Sequence, residues 1–196
     1  NVNSWVVRPF FHNLGIIILF LIPLLTMRSF AEEKKSGTLE LLVTSPITNT
    51  QLLLGKFLAA YTFLLVLLAL TFIYQAVLFI FGNPDLLPII SGYIGFMLLG
   101  AAFVSIGVFV SSLTSNQIVS ALVTFAIFLI FWVINWAGLF SGEFVSNILE
   151  HISVTEHFGK FVRGTIETSG IVYFITLTLF GLFLADQSIE SWKWRG

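Results

Sequence analysis

Glu150-His151 and Glu156-His157 are the places where this sequence sets two chemistry-bearing side chains next to each other. An imidazole beside a carboxylate is the raw material of a general acid–base pair or of a divalent-metal site. The spacing argues against both. His151 and His157 lie six residues apart, off a common helical face, and a helix break is expected between them. No metal site is expected, and Glu143, Glu150, Glu156 and Glu167 read as solvated carboxylates. Cys is absent, which removes disulfides and thiolate chemistry. No Gly-x-x-x-x-Gly-Lys-Ser/Thr loop is present to cradle a nucleotide, so no cofactor is expected in this chain. Gln75 and Asn135 stand inside long apolar stretches. Interhelical hydrogen bonds, worth about 0.6–2 kcal/mol each, are the expected use of such side chains.

The elements that would carry these residues are set by missing charge. Residues 57–84 and 86–142 contain no Asp, Glu, Lys or Arg, and Asp85 alone interrupts them. About 20 apolar residues cross the hydrocarbon core as a helix, so this stretch holds three crossings. The composition agrees, with 57% hydrophobic and 10% charged residues and a mean hydropathy of +0.99. Ion-coupled pumps and proton relays need ionisable groups at membrane depth. None is offered here, so energy for any transport would enter from outside the bilayer. The net charge of −1 and the lack of a basic patch give no reason to expect nucleic acid.

The expected fold is an all-α polytopic membrane helix bundle, one transmembrane domain over residues 1–196. Five spans are predicted, at about 10–27, 53–81, 87–113, 118–139 and 170–185. Gly82-Asn83-Pro84-Asp85 marks the turn after the second. The chain starts at Asn1 rather than Met, and the first apolar run does not read as a signal peptide, so a sixth span ahead of it is expected. Arg28, Lys34, Lys35, Lys56, Lys193 and Arg195 fall in one set of loops, and Arg8, Lys160 and Arg163 in the other. The positive-inside rule places the first set in the cytoplasm, with Asn1 and residues 140–169 outside. Trp132 and Trp136, and Trp192 and Trp194, fall near span ends as interfacial aromatics do. In the third span Ser91/Gly95, Ala101/Ser105 and Gly107/Ser111 are small pairs four apart, read first as close packing within one bundle. A dimer seam or a substrate path is the second reading.

The cytoplasmic segment 28–52 has its own pattern. The first span is expected to run on to Ser36 and to break at Gly37. A short helix follows over residues 38–44, with Leu39, Leu42 and Val43 on one face and Glu40 on the other. Pro46 ends it, and Thr48 with Gln51 forms a capping box for the next span. Such a helix, nearly parallel to the membrane, could pass a push from a soluble partner into both neighbouring spans. The plainer reading is a connecting loop.

Glu32-Glu33-Lys34-Lys35-Ser36-Gly37-Thr38-Leu39-Glu40-Leu41-Leu42, then Thr44-Ser45-Pro46-Ile47 and Leu54-Gly55-Lys56, resembles the permease subunits of type-2 ABC exporters. The likeness is closest to the gliding-motility-associated branch, and it extends to the span spacing and the tail at Gln187-Ser188-Ile189-Glu190-Ser191-Trp192. The resemblance implies a six-span subunit of the cell inner membrane, working as a homo- or heterodimer with two ATPase subunits. ATP and Mg would be bound by that partner. It also implies a coupling helix that docks the ATPase, on Glu32, Glu33, Gly37, Thr38, Leu39, Glu40, Leu42, Val43, Pro46 and Ile47. Gln75 and Asn135 become candidates for a translocation path.

Two amphipathic helices are expected over the external residues 143–164. Phe144, Val145, Ile148, Leu149 and Ile152 form the apolar face of the first. Ser153 with Glu156 reads as a capping box for the second, with Phe158, Phe161 and Val162 as its stripe and Gly164 as its stop. The family holds a re-entrant helix pair here, which makes Phe144, Ile148, Leu149, Phe158, Phe161 and Val162 candidates for an external gate. A surface cap is the simpler alternative. A secondary transporter or channel would show intramembrane charge or broken helices. A membrane enzyme would show clustered His and carboxylates. A non-transporting scaffold remains a further reading.

Overall fold

The computed structural model describes residues 3–38, 47–82, 84–139, 149 and 151–192. A π-helical turn, Asn3–Val7, leads into α1 (Arg8–Thr26), followed by α2 (Ala31–Ser36), α3 (Asn49–Leu70), α4 (Phe72–Phe81), α5 (Leu86–Leu113), α6 (Gln117–Leu139), α7 (Val154–Val162) and α8 (Thr168–Trp192). No strand occurs among the described residues. Five helical stretches are long and apolar enough to cross a membrane: Trp5–Ser36, Asn49–Phe81, Leu86–Leu113, Gln117–Ile134 and Thr168–Trp192.

α5 is the axis of the bundle. Of its 28 residues, 18 are buried, against Gln75 alone in α4. Helices α1, α3, α6, α7 and α8 all pack on it. Close approach on several sides requires small side chains, and α5 supplies them. Gly107 lies against Thr26 of α1, Gly92 against the Phe11 ring, and Ser105 against Gly181 of α8. A Cβ on Gly95 would stand 2.5 Å from the Phe161 Cβ of α7. The small pairs of this span are thus spent on packing within one chain. The aromatic residues between them fill what remains, with Phe103 stacked on Phe128 of α6 at 4.1 Å.

Local chemistry sets the helix ends. Thr48 Oγ1 accepts from the Gln51 N–H at 3.2 Å, and Gln51 Oε1 accepts from the Thr48 N–H at 3.0 Å, which is the capping box that starts α3. The second span is not one helix. It breaks at Thr71, whose N–H turns to the Leu68 carbonyl and whose own carbonyl accepts from Tyr74 N–H, both at 3.0 Å. The Thr71 hydroxyl lies 2.9 Å from the Tyr93 hydroxyl, so a cross-helix contact sits on the break. The first span does not continue unbroken to Ser36 either. A turn over residues 27–30 separates α1 from α2, and Gly37 closes α2 at φ 72°, a left-handed conformation suited to glycine. The last helix runs seven residues past the predicted 185 because its packing face continues. Ala185, Ser188 and Ile189 stay buried at helical spacing, and Trp192 lies against the core.

Replacing Gly107 by Val should force α1 and α5 apart, because the new side chain meets Thr26 across the crossing. Such overpacking costs about 1–3 kcal/mol. Thermal unfolding in detergent should show a lowered midpoint, and an unchanged midpoint would mean that this crossing has room to spare.

Candidate functional site

Two clamps sit at opposite ends of α5. The lower one holds the flanks of the segment predicted to couple. Ser111, in the last turn of α5, meets the joint between α1 and α2. Its hydroxyl donates to the Met27 carbonyl at 3.1 Å and accepts from the Phe30 and Ala31 N–H groups at 3.0 and 3.2 Å. One side chain therefore satisfies three backbone groups that the turn would otherwise leave bare. Lys34 Nζ donates to the Ser112 carbonyl at 3.2 Å and lies 4.6 Å from the Trp192 ring centre. Phe30 packs edge-on to the same indole at 5.8 Å.

Glu33 and Lys56 form an ion pair that ties α2 to the first turns of α3. Their side chains are 20% and 29% exposed, so water screens the pair less than it would on an open surface. Lys56 Nζ also lies 5.9 Å from the Phe30 ring centre. Helices α2, α3, α5 and α8 thus meet in one charged, aromatic knot. Of the residues expected to dock a partner, Glu32, Gly37 and Thr38 are exposed, as is Ile47. Leu39, Glu40, Leu42, Val43 and Pro46 lie outside the described residues. The sequence marks Lys56 as a topogenic charge and as the end of the Leu54-Gly55-Lys56 motif, and Ser111 only as a small residue. The meeting of Lys56, two turns into α3, with Glu33, and the approach of α5 to the turn, come from tertiary contact.

The upper clamp is α7. Ser153 Oγ accepts from the Glu156 N–H at 3.2 Å, but the box is only half made. The Glu156 carboxylate instead accepts from Arg163 Nη2 at 3.2 Å, one helix length away. Phe158, Phe161 and Val162 are buried. Phe161 fits between Gly95 of α5 and Gly170 of α8, and its carbonyl accepts from the Ser91 hydroxyl at 2.5 Å. Gly164 ends the helix at φ 91°, pressed on Pro88. Lys160 donates to Glu167 at 2.9 Å, and this bond, supported by Ser169, holds the Glu167 carboxyl below its ordinary pKa. Leu149 is half-buried, whereas Phe144 and Ile148 lie outside the described residues.

Of the two Glu-His pairs, Glu150 lies outside the described residues, and the two histidines line one cavity. His157 stacks on Tyr173 at 4.4 Å, and its Nε2 lies 3.1 Å from the His151 carbonyl. Among the described residues no three His, Cys, Asp or Glu side chains come together as a metal would require.

Gln75 is buried in α4 and faces α5. It is 3% exposed, yet neither its Oε1 nor its Nε2 makes a hydrogen bond. Its amide lies beside the Tyr93 hydroxyl of α5, which also meets Thr71. The side chain of Asn135 lies outside the described residues. Trp132 and Trp192 also differ from simple interfacial anchors. Trp132 lies across Gly15 and beside His12, and Trp192 belongs to the lower knot. Asp186, within α8 and beyond the predicted span, carries a buried oxygen without a hydrogen-bond partner.

Five apolar spans, four of them packed on the central α5, make this a multi-pass membrane protein of the permease kind. The chain belongs to the ABC-2 transporter family, since the family model described as "ABC-2 family transporter protein" matches residues 7–185. It is thus the non-catalytic membrane component of an ABC transporter, a class that works with an ABC ATPase. No curated protein matches it.

Ser111→Ala should leave the buried Phe30 and Ala31 N–H groups without an acceptor, a loss of about 1–3 kcal/mol. Limited proteolysis should then cut between α1 and α3 faster than in the unaltered chain. Equal rates would show that the turn holds without the hydroxyl.

Proposed function

We propose that this chain is the permease subunit of an ATP-driven exporter in the cell inner membrane, related to the gliding-motility-associated branch. It works as a homo- or heterodimer with two ATPase subunits, which bind the ATP and Mg and dock on residues 38–47. The observation that carries this reading is the lower knot. Residues 39–46 follow α2 and precede α3 in the chain, and those two helices are joined by the Glu33–Lys56 pair and tied to α5 by Ser111. Force delivered to the segment then reaches α1, α3 and α5 together rather than bending a free loop. The excess of Lys and Arg at this end supports a cytoplasmic placement.

Leu42→Asp should abolish association with the ATPase subunit while membrane insertion stays normal, read by co-purification. The ATPase should bind inside-out vesicles carrying the unaltered chain and not right-side-out ones. Retained association in the Asp variant, or binding to the opposite vesicle face, would sink the docking assignment.

The upper clamp suits an external gate. Phe161 is held between two glycines, and burying such a ring contributes roughly 1.5–3 kcal/mol. Phe161→Ala should loosen closure and change transport while basal ATP hydrolysis persists, because the site lies a full α5 length from the docking segment. Unaltered transport in this variant would mark α7 as a surface cap.

A further inference from the structure

A cavity of about 450 Å³ opens between α1, α6 and α7, at the end of the bundle away from the coupling segment. Its cations come from two helices. Arg8 and His12 stand one turn apart on α1, and Thr155, Gly159 and Arg163 form a line at four-residue spacing along α7 and its C-cap. Arg8 is exposed and makes no ion pair among the described residues. Arg163 gives one N–H to Glu156 and keeps the rest of its fork. Two guanidiniums against one carboxylate leave a single positive charge over the cavity. Its wall is apolar, formed by Trp132, Phe158 and Val162.

The cavity does not end there. Pro9 and Asn13 also line a second cavity of about 480 Å³, which passes over Phe10, Leu14 and Tyr74 to Ile17. Ile17 in turn lines a third of about 410 Å³, which follows Phe20 and Leu24 toward Phe63. Ile17, Phe20 and Leu24 are 52%, 57% and 60% exposed. At 1.5 Å per residue, the path from Pro9 to Leu25 descends about 24 Å along α1. A cationic pocket that continues into an apolar groove of that length matches one kind of ligand.

We propose that this cavity binds the phosphoryl headgroup of an anionic amphiphile, whose hydrocarbon tail lies along the exposed face of α1. Planar guanidiniums recognise phosphoryl oxygens with paired N–H donors. The single excess charge complements a phosphoryl monoanion, and the groove replaces lipid or detergent around the tail. Gly159 gives the headgroup its space. A Cβ there would meet only Arg163 Nη2, at 4.0 Å. The site does not depend on the transport reading, because binding is a property of this chain alone.

The test is a titration of the full chain in neutral detergent micelles, followed by native mass spectrometry. The probes are dioctanoyl phosphatidate, dioctanoylglycerol and inorganic phosphate. Phosphatidate should bind well above dioctanoylglycerol. Arg8→Gln and Arg163→Gln should each weaken it about tenfold or more, as loss of a charge-assisted hydrogen bond does. Arg8→Lys should recover part of the loss, and Gly159→Trp should block the site. Both arginines are exposed, so their variants test the site even if the Trp variant misfolds. Equal binding of the two lipids, or unchanged affinity in both Gln variants, would overturn the proposal. So would displacement by inorganic phosphate as effective as by phosphatidate, since the tail would then contribute nothing. A change in oligomeric state in the Arg variants with phosphatidate affinity intact would also overturn it, and assign the groove to a second copy of the chain.

Discussion

Helices α1, α3, α6, α7 and α8 are all placed by contact with α5, and where they approach most closely that contact demands side chains of one carbon or none. In a bilayer the hydrophobic effect does not drive helices together, because lipid tails are as apolar as leucine. Association has to come from close packing and from hydrogen bonds. Gly92, Gly95, Gly107, Ser91, Ser105 and Ser111 supply both along one helix. A larger residue at these positions would hold α1, α7 or α8 away and remove the dispersion contacts that fix them. The outer faces of α3, α4, α6 and α8 carry no such demand, and large apolar side chains stand exposed there.

The same helix solves the backbone problem at its two ends. Where α1 gives way to α2, and where α7 turns back toward α8, carbonyls and N–H groups lose their helical partners. Water satisfies such groups on a soluble protein, but not inside apolar surroundings. Ser111 answers for three of them at one end, and Ser91 bonds the Phe161 carbonyl near the other. Two serines within two turns of the ends of α5 thus attach the non-spanning pieces to the spanning frame. This is why α2 and α7, both too short to be stable alone, have fixed positions.

Charge follows the same division. The described ion pairs, Glu33–Lys56, Lys160–Glu167 and Arg163–Glu156, all lie at the two ends of the frame. Residues 57–84 and 86–142 carry no charge, and among the described residues the Gln75 amide makes no hydrogen bond of normal geometry beside the break at Thr71. A buried amide in that state is costly, and it stands where the second span is already divided into two helices. The lower knot shares load among four helices, whereas the upper end combines a packed amphipathic helix with an open cationic cavity.

The sequence by itself determined the class and the number of crossings. Long charge-free runs have no alternative to spanning helices, since any other backbone leaves polar groups unsatisfied in lipid. Short-range signals were equally legible. The Thr48–Gln51 capping box, the stops at Gly37 and Gly164, and the stripe of Phe158, Phe161 and Val162 are all encoded within a few residues. What required the tertiary structure was every pairing across long separations. Thr71 reads as a helical residue until Tyr93 meets it, and Glu156 reads as a cap until Arg163 claims it. The seven residues added to α8 depend on a packing face supplied by its neighbours. Ser111 with Phe30, Glu33 with Lys56, and Arg8 with Arg163 are brought together only by the packing of α1, α3 and α7 on α5. Hydropathy and capping are local properties of the chain, but a side chain's partner is fixed by which helices can approach closely enough to touch.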